Sequence, residues 1–382
     1  MRIPDLFPAD APMFDALASA VSSIFNRRGS SLSVPILDGA LKPNNLLDEA
    51  SIVVEKDGIE DIAIGSDGEI YVACGNAVMR LAASGELEQV AQHEHAVTAL
   101  AALGDGTLAV GLGAKVVLGK PGDQQVGFDQ ADGRKLNAVT ALHATADGAL
   151  LVCDASATRS YGEWNYDLME KGHTGRLVRY DPVSGTATTA ASGLAYAFGA
   201  FKDRQGRILV SETWRHQVDH VKDGHASPVV PALPGYPARI AAAEGGGFWL
   251  TLFACRTQLV EFVLQENDYR HEMMRTIEPR YWVAPALRSG VDFREPLQTG
   301  GVKQMGILKP WAPPRSYGLV VRFNDDFIPI YSLHSRVGGR HHGIVAVAQR
   351  GDDLYVLSKG AGRILRLSVA QVEAQEAAES GE

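Results

Sequence analysis

The sequence lacks three features that would point to particular classes of protein. It has three cysteines in 382 residues, too few and too odd a number for a disulfide framework, so we expect Cys74, Cys153 and Cys255 to be reduced core residues. It has no run of the roughly 18 apolar residues that a membrane span needs. Its formal net charge of -9 argues against a nucleic-acid or anionic-membrane partner, because both require a basic surface. We therefore expect a small-molecule partner.

The N-terminal segment also lacks the pattern of a secretory signal. Asp5, Asp10 and Asp15 stand where such a signal needs a basic and then an uninterrupted apolar stretch. The chain contains no Asn-x-Ser/Thr acceptor for N-glycosylation either. Both observations favour a cytoplasmic protein. The composition, 46% hydrophobic and 21% charged, provides ample material for a core.

What the sequence does contain is a repeated unit, a polar turn followed by a short apolar strand. Six copies occur: GSDGEIYVA, LGDGTLAVG, TADGALLVC, DRQGRILVS, AEGGGFWLT and QRGDDLYVL. Four of the five intervals between them are roughly 40 to 60 residues, the period of a four-stranded propeller blade. The first apolar residues after the six turns are Ile70, Leu108, Leu150, Ile208, Phe248 and Leu354.

A short strand also precedes and follows each copy, as an antiparallel meander requires. The strand predicted to follow the fifth copy is QLVEFVL. One four-stranded blade cannot bury both of its faces alone, so we expect six blades around an axis. The sequence thus predicts an all-β fold, a six-bladed β-propeller over residues 51–369. A helix from Ala11 to Arg28 and a connecting loop are expected within 1–50, and a flexible acidic tail over 370–382.

Two insertions interrupt the period of the repeat. The aromatic and polar segment ATRSYGEWNYDLMEKGHTG lies between the third and fourth copies. A longer helical and loop segment, residues 265–317, is predicted between blades five and six. Long ordered insertions on a rigid scaffold usually form a lid or one wall of a binding site. The alternative is a surface elaboration that contacts no ligand.

Several segments resemble the strictosidine-synthase-like family of six-bladed propellers, and more distantly the gluconolactonase and paraoxonase families. They are GIEDIAIGSDGEIYVA, GHTGRLVRYDPVSGT, AFGAFKDRQGRILVSET, LPGYPARIAAAEGGGFWLTL and RSYGLVVRFNDDF. The similarity of pattern extends from about Gly58 to Leu367. It implies a propeller with its site in the central channel.

In a propeller the innermost strand of each blade begins near the channel, so residues at equivalent strand starts converge on one pocket. Most of the residues at these starts are polar or ionisable, which is unusual for a buried channel. They are Glu60, His95, Asn137, Phe198, Arg239 and His342 or its neighbour His341.

The resemblance to the hydrolytic relatives implies a channel Ca²⁺ held by a Glu and several Asn or Asp oxygens. Glu60 and Asn137 match two of these ligands, whereas Phe198 and Arg239 stand where others are expected. A guanidinium repels Ca²⁺, so we expect the calcium site to be altered or absent and favour an enzyme that requires no cofactor, with bound Ca²⁺ as the alternative. The strictosidine synthases, which this chain resembles, also lack the calcium ligands. Their proposed catalytic Glu lies at the start of the inner strand of the last blade, and the corresponding segment here, GGRHHGIVAVAQ, contains no Glu.

These residues suggest a division of roles. His342 or His341 is the natural general acid or base, and Glu60 either orients that imidazole or acts as the base itself. Arg239 either holds a substrate carboxylate or stabilises an oxyanion. The remaining expected contacts to substrate are Asn137, Phe198, His95, Tyr161, Trp164 and Trp214.

Each role has a structural alternative. Glu60 and Arg239 can form a buried ion pair across the channel, Asn137 can serve backbone groups only, and His95 can be solvated. We predict a small-molecule enzyme that hydrolyses an ester or lactone, with a substrate that carries a carboxylate as one option. The alternatives are a metal-free enzyme that forms or cleaves a C-N bond, or a related lyase or isomerase, and a non-catalytic binding propeller. The sequence does not predict the oligomeric state.

Overall fold

Six four-stranded antiparallel sheets make up most of the chain in the computed structural model, which describes residues 34–380 except 122, 124, 125, 297–302, 305, 306 and 309–314. The first strands of neighbouring sheets contact each other in a closed ring. The six-bladed β-propeller predicted from the repeat is confirmed. The helix predicted between Ala11 and Arg28 lies outside the described residues.

The four strands of each blade follow one another from the channel outward. Blade 1 comprises Ile59–Ile64, Ile70–Cys74, Ala77–Leu81 and Leu87–Gln92, and blade 2 comprises Ala99–Ala102, Leu108–Gly111, Val116–Gly119 and Val126–Phe128. Blade 3 comprises Val139–Ala144, Leu150–Asp154, Gly175–Asp181 and Thr186–Leu194, and blade 4 comprises Ala197–Lys202, Ile208–Glu212, Gln217–Lys222 and His225–Val230. Blade 5 comprises Gly235–Ala242, Phe248–Cys255, Gly318–Phe323 and Pro329–Ser335, and blade 6 comprises Ile344–Arg350, Asp353–Ser358, Arg363–Ser368 and Ser51–Glu55.

The outer strand of blade 6 comes from the beginning of the propeller and closes the ring. Ser51–Glu55 pairs antiparallel with Arg363–Ser368, with Ser51 opposite Arg366. This pairing joins the two ends of the repeat array in one sheet, in which Ser51–Glu55 forms the outer edge of blade 6. The short helix Leu46–Glu49 precedes this strand and packs against the outer strand of blade 5.

Both insertions leave a blade between its second and third strands. The first, in blade 3, contains the helix Trp164–Met169. The second lies inside blade 5, so its predicted position between blades 5 and 6 is wrong. QLVEFVL, predicted as the third strand of that blade, forms the helix Gln258–Gln265, which Thr257 caps through the N–H of Val260. Its apolar residues follow the helical period, with Val260 and Val263 buried on one face.

The remaining elements are short or lie at the edge of the propeller. The segment predicted as a flexible acidic tail instead forms the helix Val369–Ser380, whose Val372 is buried.

Cys153 and Cys255 are buried thiols and Cys74 is half-buried. Across the described part of the chain, no helix is long and apolar enough to cross a membrane. Other helical segments are Asn267–Thr276, Gly39–Leu41, Tyr161–Glu163, Thr213–Arg215 and Pro279–Tyr281, and two ribbons pair Gln130–Ala131 with Arg134–Lys135 and Lys303–Gln304 with Ile307–Leu308.

This topology decides which loops surround the channel mouth. In a meander, the start of the first strand and the turn between the second and third strands lie at the same end of the blade. One face of the propeller therefore carries four of these connections: the two insertions, the Thr213–Arg215 turn and the turn after Ser358. We call it the upper face.

Candidate functional site

The side chain of Arg239 lies on the propeller axis and joins blade 5 to four other blades. Its Nη2 donates to the carbonyl oxygens of Thr98 and Thr140, both at 2.7 Å. Its Nη1 donates to the carbonyl oxygens of Glu60 at 3.1 Å and Val345 at 3.4 Å. The four carbonyls belong to the inner strands of blades 1, 3 and 6 and to the residue before the inner strand of blade 2.

Register shifts at the starts of the inner strands leave these carbonyls available. The pairing skips Glu60 in blade 1, Thr140 in blade 3, Phe198 in blade 4 and Val345 in blade 6. A skipped residue does not pair with the neighbouring strand, so its backbone groups need other partners. Arg239, itself in a register shift of blade 5, supplies those partners for three of them.

Asp61 completes this buried polar cluster. Its Oδ2 lies 3.2 Å from Nε of Arg239, and its two oxygens accept the N–H groups of Ile62 and Leu100, both at 2.9 Å. Burial raises the pKa of Asp61 to about 6, against the opposing attraction of Arg239. An ion pair between Arg239 and Glu60 was the structural alternative to their predicted roles, and Arg239 instead pairs with the next residue, Asp61.

The predicted role of Arg239 as a substrate anchor is wrong. Its Nη atoms donate to four backbone carbonyls, and its Nε faces Asp61. The side chain is 6% exposed, and both Nη atoms are occupied, so no pair of N–H groups is left to hold a carboxylate or an oxyanion. The Nε–H makes no hydrogen bond among the described residues, but it lies against the carboxylate of Asp61. Arg239 instead closes the channel, with an aromatic pocket above it and a channel of about 240 Å³ below it that alanine residues of the inner strands line.

The aromatic pocket lies at the upper mouth of the channel. Phe198 forms its floor, with the guanidinium carbon of Arg239 5.3 Å from the centre of the ring. The enclosed volume is about 20 Å³, room for a single water-sized group. Tyr161, Trp164 and Trp214, predicted from the sequence to line the channel, lie together here. The full lining is Tyr161, Trp164, Tyr196, Phe198, Trp214, Phe253, Leu287, Val345 and Lys359.

Buried polar groups hold the aromatic walls in position. Asp167 accepts a hydrogen bond from Nε1 of Trp214 at 2.7 Å, and its side chain is 1% exposed. Asn137 donates from Nδ2 to the carbonyl oxygens of Ser156 and Arg159, at 3.1 and 2.9 Å. Asn137 thus fixes the start of the first insertion and serves backbone groups, which is the structural alternative to its predicted contact with substrate.

Three side chains form a polar cluster at the edge of this pocket. Nζ of Lys359 lies 2.6 Å from Oε2 of Glu60, and the hydroxyl of Tyr161 donates to the same oxygen at 2.7 Å. Nζ of Lys359 also lies 3.4 Å from the Tyr161 hydroxyl and 5.0 Å from the centre of its ring. The Glu60 and Lys359 side chains are 19% and 21% exposed, so both reach the pocket edge.

Burial and the neighbouring Glu60 carboxylate hold the pKa of Tyr161 well above its usual value. The phenol therefore stays protonated at physiological pH and acts as a hydrogen-bond donor. The cluster combines a carboxylate that can take a proton with an ammonium and a phenol that can stabilise negative charge.

The residues of the channel do not fit a calcium ion. The carboxylate of Glu60 is paired with the ammonium of Lys359. The guanidinium of Arg239 occupies the axis. Ca²⁺ needs six to eight oxygen ligands, and in the described residues no three His, Cys, Asp or Glu side chains converge to hold a metal.

The three candidate histidines lie outside the pocket. His95 is exposed, and Thr98 rather than His95 reaches Arg239 in blade 2. His341 is fully buried, with no hydrogen-bond partner for either ring nitrogen in the described chain. His342 points into a separate cavity, and the inner strand of blade 6 places Val345 at the channel. The predicted channel roles of His341 and His342 are therefore wrong.

Lys359, Tyr196, Leu287 and Asp61 are site residues that the sequence reasoning missed. Lys359 follows the second strand of blade 6, in LSKGAGRI. The turn between the second and third strands supplies Tyr161 in blade 3 and Trp214 in blade 4. Comparing this turn in all six repeats would have found Lys359.

Comparisons with known proteins agree with this fold. A family profile described as strictosidine synthase-like, N-terminal, matches residues 39–76. Protein STRICTOSIDINE SYNTHASE-LIKE 13 of Arabidopsis thaliana is 28% identical over 198 residues, which cover 50% of this chain and 43% of that protein. The chain is similar to the strictosidine synthase-like proteins over these segments. The family resemblance of the repeats is thereby confirmed.

Two further comparisons extend over more of the chain. Adipocyte plasma membrane-associated protein of Salmo salar is 28% identical over 288 residues, covering 65% of this chain and 69% of that protein. A gluconolactonase structure from Xanthomonas campestris superimposes with a TM-score of 0.55 at 12% identity, covering 88% of this chain and 95% of that one. At this identity the structural likeness shows the fold alone. The match to the plant protein spans less than half of its length.

Proposed function

We propose that the protein is a small-molecule enzyme that hydrolyses an ester or lactone in the aromatic pocket without a bound metal ion. One observation carries this proposal: Lys359 places an ammonium 2.6 Å from the carboxylate of Glu60 at the edge of an aromatic pocket. A fixed cation beside a carboxylate provides the charge stabilisation and the proton acceptor that ester hydrolysis needs.

The proposed reaction uses the polar cluster in two ways. Glu60 accepts a proton from a water molecule, whose oxygen then attacks the carbonyl carbon of the substrate. Lys359 and the hydroxyl of Tyr161 donate hydrogen bonds to the oxyanion that forms. The leaving alkoxide takes the proton back from Glu60 as the carbon-oxygen bond breaks.

The lining of the pocket favours an apolar or aromatic substrate. Most of its walls are aromatic rings. Among the described lining residues, Lys359 is the only cation, and Glu60 already neutralises its charge. Since Arg239 is not available as an anchor, an uncharged substrate fits better than a carboxylated one. The pocket is nearly filled by its own side chains, so substrate entry requires lining side chains to move aside.

A second candidate function is C-N bond formation or cleavage. The observation that favours it is that Glu60 already binds an alkylammonium, Nζ of Lys359, beside the Tyr161 ring. A substrate amine would find the same carboxylate and aromatic faces. This function predicts turnover that depends on an added amine, whereas hydrolysis does not.

The test is a panel of aromatic and aliphatic esters and lactones assayed in EDTA. The Lys359→Met variant removes the cation, and Lys202→Met is its matched control, because Lys202 pairs with Asp147 at 3.1 Å away from the pocket. We expect kcat to fall by about 100-fold in Lys359→Met and to stay near wild type in Lys202→Met.

Three outcomes would contradict the hydrolase proposal. Activity that requires Ca²⁺, with saturable calcium binding in calorimetry, would show that a metal supplies the charge. Turnover only with an added amine would favour the C-N function. Saturable quenching of tryptophan fluorescence by ligands, with no turnover of any compound, would indicate a binding protein.

A further inference from the structure

A second cavity lies beside the aromatic pocket, between the blade 5 insertion and blade 6. Its volume is about 340 Å³, enough for a small organic molecule. Ser316 and His342 line it, with Ser289 next to them. Gly360 lines this cavity, and Leu287 lines the aromatic pocket. The two residues pack against each other, so they form the wall between the two spaces. The two spaces are therefore separate neighbours.

Ser316 and His342 form a hydrogen bond whose direction the surroundings determine. Nε2 of His342 lies 2.9 Å from the carbonyl oxygen of Arg336, which can only accept, so Nε2 carries the proton. Burial lowers the pKa of His342, which favours the neutral ring. Nδ1 is then unprotonated and accepts the hydroxyl proton of Ser316 at 2.7 Å. The oxygen of Ser316 in turn lies 2.7 Å from that of Ser289.

This is the arrangement of an activated serine. The imidazole is positioned to take the proton of the hydroxyl, and a third group holds the ring by its other nitrogen. The histidine that the sequence predicted as the acid or base of the channel thus has a serine partner elsewhere.

In a second serine and histidine pair of the chain, Ser332 and His334, the hydrogen bond runs from the histidine to the serine. Ser332 donates its hydroxyl proton to the carbonyl oxygen of Ala40 at 2.8 Å. Nε2 of His334, 2.7 Å away, therefore donates to the oxygen of Ser332. Nδ1 of His334 accepts from the hydroxyl of Tyr317 at 3.0 Å. Ser332 is not activated, and it serves as an internal control.

Cationic groups surround the cavity. Arg288, Arg315 and Arg340 line it, and no acidic side chain is among its described lining residues. Arg315 is 6% exposed and its Nη1 lies 3.4 Å from Oε2 of the buried Glu295, so the uncompensated positive charge comes from Arg288 and Arg340. The Nε of Arg315 has no hydrogen-bond partner among the described residues. A buried N–H donor without a partner is costly, and a ligand oxygen would satisfy it.

We propose that Ser316 is a nucleophile, activated by His342, that reacts with esters carrying a negative charge in this cavity. The oxygen of Ser316 attacks the ester carbonyl carbon, and its proton moves to Nδ1 of His342. The leaving alkoxide takes that proton as the carbon-oxygen bond breaks, which leaves an acyl-serine. Water then attacks the acyl carbon, gives a proton to His342, and releases the acid and Ser316, to which His342 returns the proton.

The test is covalent labelling of the full chain with a fluorophosphonate, followed by peptide mass spectrometry. Ser316 is expected to carry the label, and Ser316→Ala is expected to remove it. Ser332→Ala, the matched control, is expected to label at the wild-type rate. His342→Gln is expected to slow labelling by about 100-fold, and the wild-type rate is expected to fall as His342 is protonated at low pH. The pH series tests the base even if the histidine variant does not fold.

Charge selectivity tests the class of substrate. Hydrolysis of the mono-nitrophenyl ester of glutaric acid is expected to exceed that of nitrophenyl butyrate, and the excess is expected to disappear in a double variant, Arg288→Ala with Arg340→Ala. Label on other residues only, or equal labelling of folded Ser316→Ala and wild type, would overturn the proposal. Labelling does not depend on turnover in the aromatic pocket, so failure of the proposed hydrolase function would leave this result unchanged.

Discussion

Replacing Arg239 with methionine tests the most central contact of the fold. Methionine fills a similar volume but removes the four hydrogen bonds to backbone carbonyls and the ion pair with Asp61. Breaking a buried pair from one side costs about 3 to 5 kcal/mol. The lost carbonyl partners add to this, although such terms are not additive. We expect the free energy of unfolding to fall by about 5 kcal/mol, a large part of the stability of a typical domain.

The loss is expected to depend on pH. Without Arg239, the pKa of Asp61 rises above its value of about 6, because the attraction that opposes burial is gone. A carboxyl whose pKa is raised in the folded state stabilises the fold below its unfolded pKa, and this stability is lost as the pH rises through the folded pKa. The Arg239→Met defect is therefore smaller at pH 4 than at pH 8.

Urea denaturation at pH 4 and pH 8 measures the stability loss and its pH dependence. The proteins compared are wild type, Arg239→Met, Asp61→Asn and the double variant that carries both substitutions. The double variant is expected to recover part of the loss at pH 8, because it leaves no buried charge. An Arg239→Met protein within about 1 kcal/mol of wild type at both pH values would refute the view that this side chain holds the blades together.

Two further predictions concern other parts of the propeller. Burial and the neighbouring Glu212 raise the pKa of Asp219, so its contribution to wild-type stability is present below the unfolded pKa and is lost as the pH rises through the folded pKa. Asp219→Asn should flatten this fall and be roughly 1 to 3 kcal/mol more stable than wild type at pH 8 in urea denaturation, and an unchanged slope would contradict this. A Cβ on Gly360 would overlap the carbonyl oxygen of Leu287, so Gly360→Ala should lower Tm by several degrees and alter the fluorescence of the pocket tryptophans. Wild-type Tm and fluorescence in this variant would contradict the close packing of Gly360 against Leu287.

The repeat was predictable because its signal is local. Each second strand follows a polar turn, and five of them begin at the predicted residue, from Ile70 to Phe248. The sixth begins one residue early, at Asp353. The pairing of Ser51–Glu55 with blade 6 was not predictable in this way, because it joins segments about 310 residues apart and has no local signature.

The channel residues were harder to predict because of the register shifts. A shift at a strand start breaks the alternation of faces, so the period of two cannot decide between Glu60 and Asp61 or between His342 and Val345. Asp61 pairs with Arg239, while Glu60 turns to Lys359 in a loop of another blade. Such a pair depends on how six blades close, which no single repeat reveals.

The turnover of the Glu60→Gln variant is the sharpest test of catalysis by the polar cluster. The assay is kcat/KM on the best ester or lactone in EDTA, with ligand binding followed by the fluorescence of Trp164 and Trp214. Glu55→Gln is the matched control, because Glu55 pairs with Arg363 on the outer edge of blade 6. We expect a loss of at least about 100-fold in Glu60→Gln with binding retained. Full turnover in this variant would contradict catalysis by the Glu60 and Lys359 pair.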